Sequence, residues 1–157
     1  MTNPLRTIED YELFLYTLQD HFPSISRSNL ILTRRGVSLA RVSGDLEFAH
    51  GIRLVVRERI VYHRLPAVID EYGYEVWHGK EKLYWYDSQP HPDDPTLQDT
   101  YPHHKHVQPG MKRNRIPAPQ CSFQTPNLPA LILEVEGLVE KMGKGIRPKQ
   151  QSSRDES

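Results

Sequence analysis

The sequence has a single cysteine, Cys121, which excludes an internal disulfide framework. Net charge is also absent, because 20 lysines and arginines balance 20 aspartates and glutamates. Overall charge therefore does not indicate a nucleic-acid partner, and any basic surface must be local. No apolar run approaches the ~18–20 residues that span a bilayer, and the opening residues MTNPLRTIEDYE lack a basic-then-apolar signal pattern. We therefore expect a soluble, cytoplasmic protein with no membrane partner.

Catalytic signatures of fixed spacing are missing too. The sequence contains no nucleophile elbow, no phosphate-binding loop and no dinucleotide fingerprint. It also lacks a cysteine pair and the H-E-x-x-H spacing of many zinc enzymes. Any chemistry must therefore come from a less regular arrangement of reactive side chains.

Two amphipathic helices are predicted, one near each end of the chain. Thr7 has the side chain of a helix N-cap, and apolar residues recur at helical spacing from Ile8 to Phe22. Asn127 is the predicted N-cap of the second helix, whose apolar stripe continues to Met142. Both helices are expected to cover a hydrophobic core.

The segment between the helices alternates in the manner of antiparallel strands. From Ile52 to Tyr62, side chains alternate between two faces, and Glu58 stands in the apolar register. A carboxylate there predicts either a solvent-open face or a buried partner. Short turns separate the runs between residues 29 and 87, and Gly44-Asp45 is expected to break one of them.

These patterns predict an α+β fold. We expect one antiparallel sheet of about five strands, flanked by the N-terminal and the C-terminal helix, with a long Pro/His-rich loop. The length suits one domain, placed at residues 1–142. The polar segment 143–157 is expected to be a disordered tail.

The most informative segment holds four of the eight histidines within the sixteen residues from His91 to His106. Imidazole is the one side chain whose unperturbed pKa, ~6.5, permits proton transfer in both directions near neutral pH. Four prolines stiffen this segment and lower the entropy cost of holding reactive groups in place: Pro90, Pro92, Pro95 and Pro102. We therefore expect any chemistry to occur here.

In an extended backbone His104 and His106 point to the same side, and His103 points to the opposite side. One neutral and one protonated imidazole can serve as base and acid at the same pH. RNA cleavage suits such a pair, because the base removes the 2′-hydroxyl proton and the acid protonates the leaving 5′ oxygen. This chemistry needs neither a metal nor another cofactor. We assign the proton transfers to His104 and His106, with His91 as an alternative acid.

Neighbouring residues complete this hypothesis of an endoribonuclease. Lys105 or Arg113 is expected to offset the charge that develops on the phosphate. Tyr86 and Asp87 are expected to orient an imidazole. The expected RNA-binding residues are basic side chains on one strand face and in the run after the histidines: Arg53, Arg57, Arg59, Lys112, Arg113 and Arg115.

Two alternatives stay open. A metal-dependent nuclease would draw its ligands from the histidine-rich loop and the strand before it: His91, His104, His106 and Asp87. A non-catalytic module would instead bind RNA, the ribosome or a partner protein through the basic loop and a face of tyrosines. The tyrosines of this face are Tyr72, Tyr74, Tyr84 and Tyr86.

Four motifs follow one another between about residues 35 and 140: LEFAHGIRL followed by Glu58, YGY at Tyr72–Tyr74, YDSQPH at Tyr86–His91, and PHHKH at Pro102–His106. Their order resembles that of the TumE family of type II toxin–antitoxin systems, and PHHKH is the most specific of them. The resemblance implies a small toxin encoded beside a cognate antitoxin, often a helix-turn-helix protein, and an action on RNA. A monomer and a homodimer both stay open.

Overall fold

A computed structural model describes residues 2–146. The α-helices are α1 (Ile8–Tyr16), α2 (Leu18–His21) and α3 (Leu128–Gly143), and short 3-10 helices lie at Pro4–Arg6, Ala49–Gly51 and Pro95–Thr100. The strands are β1 (Arg27–Ser28), β2 (Ile31–Arg35), β3 (Leu39–Glu47), β4 (Ile52–Val61), β5 (Val68–His78), β6 (Glu81–Asp87), β7 (His104–His106) and β8 (Arg115–Pro117). None of the helices in residues 2–146 is long and apolar enough to cross a membrane. Most of the predicted tail, residues 147–157, lies outside the described residues.

The eight strands found in residues 2–146 form one antiparallel sheet, so the expectation of about five strands was too low. Their order is β1-β3-β4-β5-β6-β7-β8, with β2 beside β1 along the same edge of β3. The additional strands are short: β1 has two residues, and β7 and β8 have three each. Two of them lie inside the predicted Pro/His-rich loop, because this segment folds back along β6 rather than staying irregular.

Strand β3 runs through Gly44-Asp45, where the sequence predicted a break. Gly44 adopts φ +133°, a backbone conformation that side chains with a Cβ rarely take. A Cβ there would lie 2.6 Å from the carbonyl oxygen of Asn29. The Asp45 N–H donates to the Asn29 side chain at 2.6 Å. Because residue 44 is glycine, Asn29 can lie close to β3 at the point where β1 ends and β2 begins, while β3 itself continues without a break.

The α-helices cover one face of the sheet, and the hydrophobic core lies between the helices and this face. The inward residues of β4 alternate along the strand as predicted, and Glu58 is buried among them. Tyr11 from α1 and Tyr74 from β5 both donate hydroxyl hydrogen bonds to its carboxylate. Asn127 donates to the Tyr74 hydroxyl at 3.1 Å. Glu58 is thus a partnered core carboxylate, one of the two readings its register allowed.

The helices themselves differ from the predicted pattern in two details. Thr7 caps α1 as predicted, because its hydroxyl oxygen accepts from the Asp10 N–H at 3.0 Å. The helix breaks at Thr17, so that α1 and α2 replace the single predicted helix. Asn127 occupies the N-cap position of α3 as predicted, and its carbonyl oxygen accepts from the Leu131 N–H at 3.3 Å. Its side chain makes no capping hydrogen bond, because the side-chain oxygen accepts from the Ser122 N–H instead.

The other face of the sheet carries polar, aromatic and basic side chains, and it is the face away from the α-helices of residues 2–146; we call it the open face. Arg53, Arg57 and Arg59 project onto it from β4, in the register opposite to Glu58. Trp77 and Trp85 follow on β5 and β6. The open face therefore gathers the strand arginines beside the histidine-bearing strand β7.

Candidate functional site

The pairing of β6 with β7 places Asp87 opposite His104, and Trp85 opposite His106. All four side chains lie on the open face, because residues two apart in a strand share a face. Asp87 reaches this position although sixteen residues of connection separate it from His104. The sheet edge thus assembles one carboxylate and two imidazoles from distant parts of the sequence.

The three groups, which we call the Asp87–His104–His106 cluster, converge through single atoms. Nε2 of His104 lies 2.8 Å from Oδ1 of Asp87, and Nε2 of His106 lies 3.4 Å from Oδ2. The two Nε2 atoms are 3.1 Å apart. Each imidazole therefore turns the same ring nitrogen towards the other imidazole and towards the carboxylate.

The opposite ring nitrogens determine the tautomers. Nδ1 of His104 lies 2.9 Å from the carbonyl oxygen of Pro102, and Nδ1 of His106 lies 2.9 Å from that of Met111. A carbonyl oxygen only accepts hydrogen bonds, so both Nδ1 atoms carry a proton. A neutral ring then has its lone pair at Nε2, and a ring that donates from Nε2 to Asp87 is protonated on both nitrogens. Both nitrogens of each imidazole are consequently engaged within the protein.

Burial and stacking hold the cluster in place. His104 is fully buried and His106 is 4% exposed. The Trp85 ring stacks on His106 with the ring centroids 3.9 Å apart, and its Nε1–H donates to Asp87 at 2.9 Å. Trp85 was not among the candidate site residues from the sequence. Its position two residues before Asp87 in a strand is the signal that places it on the same face.

Hydrogen bonding polarises the cluster. Burial raises the pKa of Asp87, but hydrogen bonds from His104, His106 and Trp85 outweigh it and hold this pKa well below its usual range. Burial lowers the pKa of His104, but the hydrogen bonds to Asp87 and to the Pro102 carbonyl oxygen outweigh it and raise this pKa. The carboxylate therefore stays ionised and attracts cations.

His91 and Arg115 flank the cluster. The His91 ring meets His104 edge-on with centroids 4.8 Å apart, and its Nε2 lies 3.5 Å from an Arg115 nitrogen. Burial and the positive charge of Arg115 lower the pKa of His91. Arg115 also lies 3.6 Å from Asp94. A cationic group thus stands beside the buried carboxylate and imidazoles.

Arg57 approaches the cluster from the other side. Arg57, Gly73, Asp87 and His104 form one row of paired residues across four strands. A Cβ on Gly73 would lie 2.3 Å from the Arg57 guanidinium, so the absence of a side chain lets this group lie across β5. Arg57 and Asp87 line a cleft of about 530 Å³ together with Tyr72 and Gln89.

The remaining candidate residues lie elsewhere. Lys105 and Tyr86 lie on the helix-covered face, where Lys105 is 3.4 Å from Glu134 and the Tyr86 hydroxyl donates to Glu134 at 2.8 Å. Lys112 and Arg113 are exposed in the turn between β7 and β8. The structure therefore brings together His91, His104, His106 and Asp87, but not Lys105 or Tyr86.

Comparison with known proteins gives one match. A family model described as "Toxin TumE" matches residues 14–139, which is most of the chain. No curated protein and no solved structure matches the chain. The match confirms the resemblance that the motifs indicated, and it implies an antitoxin partner. The chain belongs to the TumE family of toxins from toxin–antitoxin systems.

Proposed function

We propose that this toxin is an endoribonuclease whose reaction centre is the Asp87–His104–His106 cluster. The observation that carries the proposal is the convergence of an ionised carboxylate and two buried imidazoles at an open, arginine-bearing sheet face. Groups that titrate or carry charge are gathered in this way mainly at functional sites. Elsewhere on the open face, among residues 2–146, the charged groups form ordinary ion pairs, such as Arg53 with Asp45, and no second group of three such ligands.

Phosphate recognition is assigned to Arg57, with a supporting role for Arg115, which lies beside the cluster although Asp94, 3.6 Å away, compensates part of its charge. Arg59 is already neutralised by a two-bond contact to Asp70 at 2.9 and 2.7 Å. Arg53 lies 3.4 Å from Asp45. Within residues 2–146 no carboxylate lies within ion-pair distance of Arg57, which is exposed. An exposed, unneutralised guanidinium gains most from a phosphate, because its charge is not already compensated.

The reaction proposed is cleavage by the neighbouring 2′-hydroxyl. The 2′ oxygen forms a bond to phosphorus, the bond from phosphorus to the 5′ oxygen breaks, and the products are a 2′,3′-cyclic phosphate and a 5′-hydroxyl. One proton leaves the 2′-hydroxyl and another reaches the 5′ oxygen, so no net charge is created. We assign uptake of the first proton to the Asp87–His104–His106 cluster, supply of the second proton to His91 or to water, and the offset of negative charge on the phosphate to Arg115.

The geometry modifies the mechanism expected from the sequence. A free acid–base pair needs a ring nitrogen that faces the substrate. In His104 and His106 both nitrogens are already engaged, one with a main-chain carbonyl and the other inside the cluster. This arrangement favours a mechanism in which the three side chains act together, and not one in which one ring is the base and the other the acid.

The second candidate function is RNA binding without cleavage. It is favoured by the two tryptophans of the open face, each of which lies beneath a cation: Lys82 is 5.4 Å from the Trp77 ring centre and 4.5 Å from that of Trp85. Aromatic rings beside basic groups suit single-stranded RNA, since bases stack on them and phosphates pair with the cations.

Incubation of the purified protein with labelled RNA tests the proposal. Wild type and the exposed-histidine control His63→Ala are expected to cleave RNA at equal rates, whereas Asp87→Asn and His106→Gln lose cleavage while their circular dichroism spectra remain native. Cleavage by both cluster variants would exclude this reaction centre. Binding of RNA by wild type without cleavage would establish the second candidate instead.

A further inference from the structure

We propose that Asp87, His104 and His106 bind one divalent transition-metal ion of the zinc class, through one carboxylate oxygen and the two Nε2 atoms. The binding is inferred from geometry alone, whereas a role of the ion in RNA cleavage rests on the proposed function. This differs from the metal-free chemistry that the sequence favoured. Nothing else in residues 2–146 places three histidine, cysteine or carboxylate ligand atoms so close together.

The first argument is the orientation of the imidazoles. In metal sites the ligating histidine donates its other ring N–H to a carboxylate or a main-chain carbonyl, which fixes the tautomer and the ring. His104 does so to Pro102, and His106 does so to Met111, both at 2.9 Å. Two independent main-chain contacts thus prepare the same nitrogen in both rings for an ion.

The second argument is the spacing of the donor atoms. Ligands at the usual ~2.0–2.1 Å from a tetrahedral zinc ion lie roughly 3.3 Å from one another. The two Nε2 atoms are 3.1 Å apart, and each lies close to a different oxygen of Asp87: His104 is 2.8 Å from Oδ1 and His106 is 3.4 Å from Oδ2. With one ligand atom taken from each residue, all three atoms lie within 4.8 Å of one another. The Nε2 pair is thus within a few tenths of an ångström of this spacing, and a small rotation of the carboxylate would bring one of its oxygens to both nitrogens. His104 and His106 are held too firmly by burial and stacking to have reached this spacing as mobile surface groups.

The third argument concerns what would balance the facing donor atoms of the cluster if no ion were bound. If both rings were neutral, two lone pairs and a carboxylate would face one another in a buried position, so at least one proton or cation must lie among them. Added protons or a single cation can satisfy these three acceptors. A divalent ion meets all three at once, and it compensates the carboxylate without leaving two positively charged rings in contact.

The donor set selects the kind of ion. Two imidazole nitrogens and one carboxylate suit zinc, cobalt, nickel or iron, whereas magnesium and calcium prefer oxygen ligands alone. Three protein ligands leave a coordination position open, which is the arrangement of catalytic zinc sites. The nearest further histidine, His91, directs its Nε2 to Arg115. The open position is therefore left for water or a phosphate oxygen.

Such an ion would polarise a phosphate oxygen and lower the pKa of a bound water. With the three side chains acting as ligands, this water, and not an imidazole, would accept the 2′-hydroxyl proton. The protein residues around it are placed for the same substrate. Arg115 lies on one side of the cluster, and Arg57 shares a cleft with Asp87 on the other. A phosphate that enters this cleft would meet a guanidinium and the ion together.

Metal titration of the full chain, stripped with a chelator and free of RNA, tests the site. Cobalt(II) is expected to bind one ion per chain with the visible absorption of a low-coordinate nitrogen–oxygen site, and zinc to displace it. Isothermal titration with zinc is expected to show more than a 100-fold loss of affinity in Asp87→Asn and in His106→Gln, since even residues that only support ligands contribute ~10–100-fold. His63→Ala, which changes an exposed histidine, is expected to bind as wild type does.

The outcomes separate the two proposals. Absence of zinc or cobalt binding by folded wild type would overturn the metal site, as would equal binding by wild type and Asp87→Asn. If the chelated wild type then still cleaves RNA, the endoribonuclease stands without the ion. If wild type binds one ion that the variants lose, yet cleaves no RNA with the ion present, the metal site stands and the proposed nuclease function fails.

Discussion

His104 and His106 direct their Nε2 atoms at each other, 3.1 Å apart, because each ring donates its Nδ1–H to a main-chain carbonyl. The carbonyls belong to Pro102 and Met111, on either side of the three-residue strand β7. The main chain around β7 therefore determines the chemistry of both rings. A site built in this way depends on the local backbone as much as on its reactive side chains.

Trp85 is predicted to act as a positioning residue. It stacks on His106 and donates to Asp87, so Trp85→Phe keeps an aromatic ring but removes one hydrogen bond to the carboxylate. Zinc affinity is expected to fall about 10–100-fold, the usual effect of removing a supporting contact. Titration calorimetry measures the change. Trp77→Phe is the control, because Trp77 lies on the same face and donates to Glu75 instead. Equal losses in both variants would contradict the assignment.

Arg57 is predicted to contact phosphate. Arg57→Ala is expected to weaken RNA binding. It should also reduce the slope of log affinity against log salt by ~0.7, the contribution of one phosphate contact to a single strand. Arg6→Ala provides the comparison, since it makes the same change of net charge at an exposed residue before α1. Fluorescence anisotropy over a salt series gives both slopes. Identical slopes in the two variants would show that only overall charge matters.

Glu58 is predicted to make stability depend on pH. Burial raises its pKa, although the Tyr11 and Tyr74 hydroxyls lower it, and the net direction is upwards. A raised carboxyl pKa means that the folded state binds more protons than the unfolded state. Stability from this group is therefore present below the unfolded value, ~4.3, and is lost as pH rises through the folded pKa. Glu58→Gln has no carboxyl group at this position, so its stability is not expected to fall with pH for this reason.

Urea unfolding of wild type and Glu58→Gln between about pH 4 and pH 8 measures this contribution. The difference in unfolding free energy between the two proteins is expected to shift in favour of the variant as pH rises. Any constant effect of the amide on the two tyrosine hydroxyls cancels in this comparison. A difference that does not vary with pH would mean that the pKa of Glu58 is the same in the folded and unfolded states.

Lys105 is predicted to contribute to stability and not to metal binding. Its ammonium group lies 4.1 Å from the Tyr84 ring centre and 3.4 Å from Glu134 on α3. Lys105→Met is expected to lower the free energy of unfolding by about 1 kcal/mol, because Glu134 loses a charged partner. Urea unfolding measures this loss as a lower midpoint. Zinc affinity should stay within about twofold of wild type. A large loss of zinc affinity in a folded Lys105→Met protein would place this residue nearer the cluster than the sheet pairing does.

Part of the site followed from the sequence. The period of two in an extended chain predicted that His104 and His106 share a face, and they do. The same rule places Lys105, which lies between them, on the opposite face. Its adjacency in sequence nevertheless suggested a role beside the phosphate. Strand alternation was therefore the better guide to which neighbours meet.

Other parts required the three-dimensional structure. The contact between Asp87 and His104 depends on the register of β6 against β7 across an irregular connection, and no sequence period encodes that register. Strands of two or three residues are too short to show alternation, which explains why the sheet has more strands than expected. The partners of Glu58 come from α1 and β5, so its register indicated a conflict but not its resolution.

The most direct test of the Asp87–His104–His106 cluster as a metal-dependent reaction centre is RNA cleavage by chelator-treated protein before and after one equivalent of zinc. Cleavage is expected to disappear on chelation and to return in wild type and His63→Ala, while Asp87→Asn stays inactive at the same zinc concentration. Undiminished cleavage by the fully stripped wild type, or restored cleavage in Asp87→Asn, would contradict it.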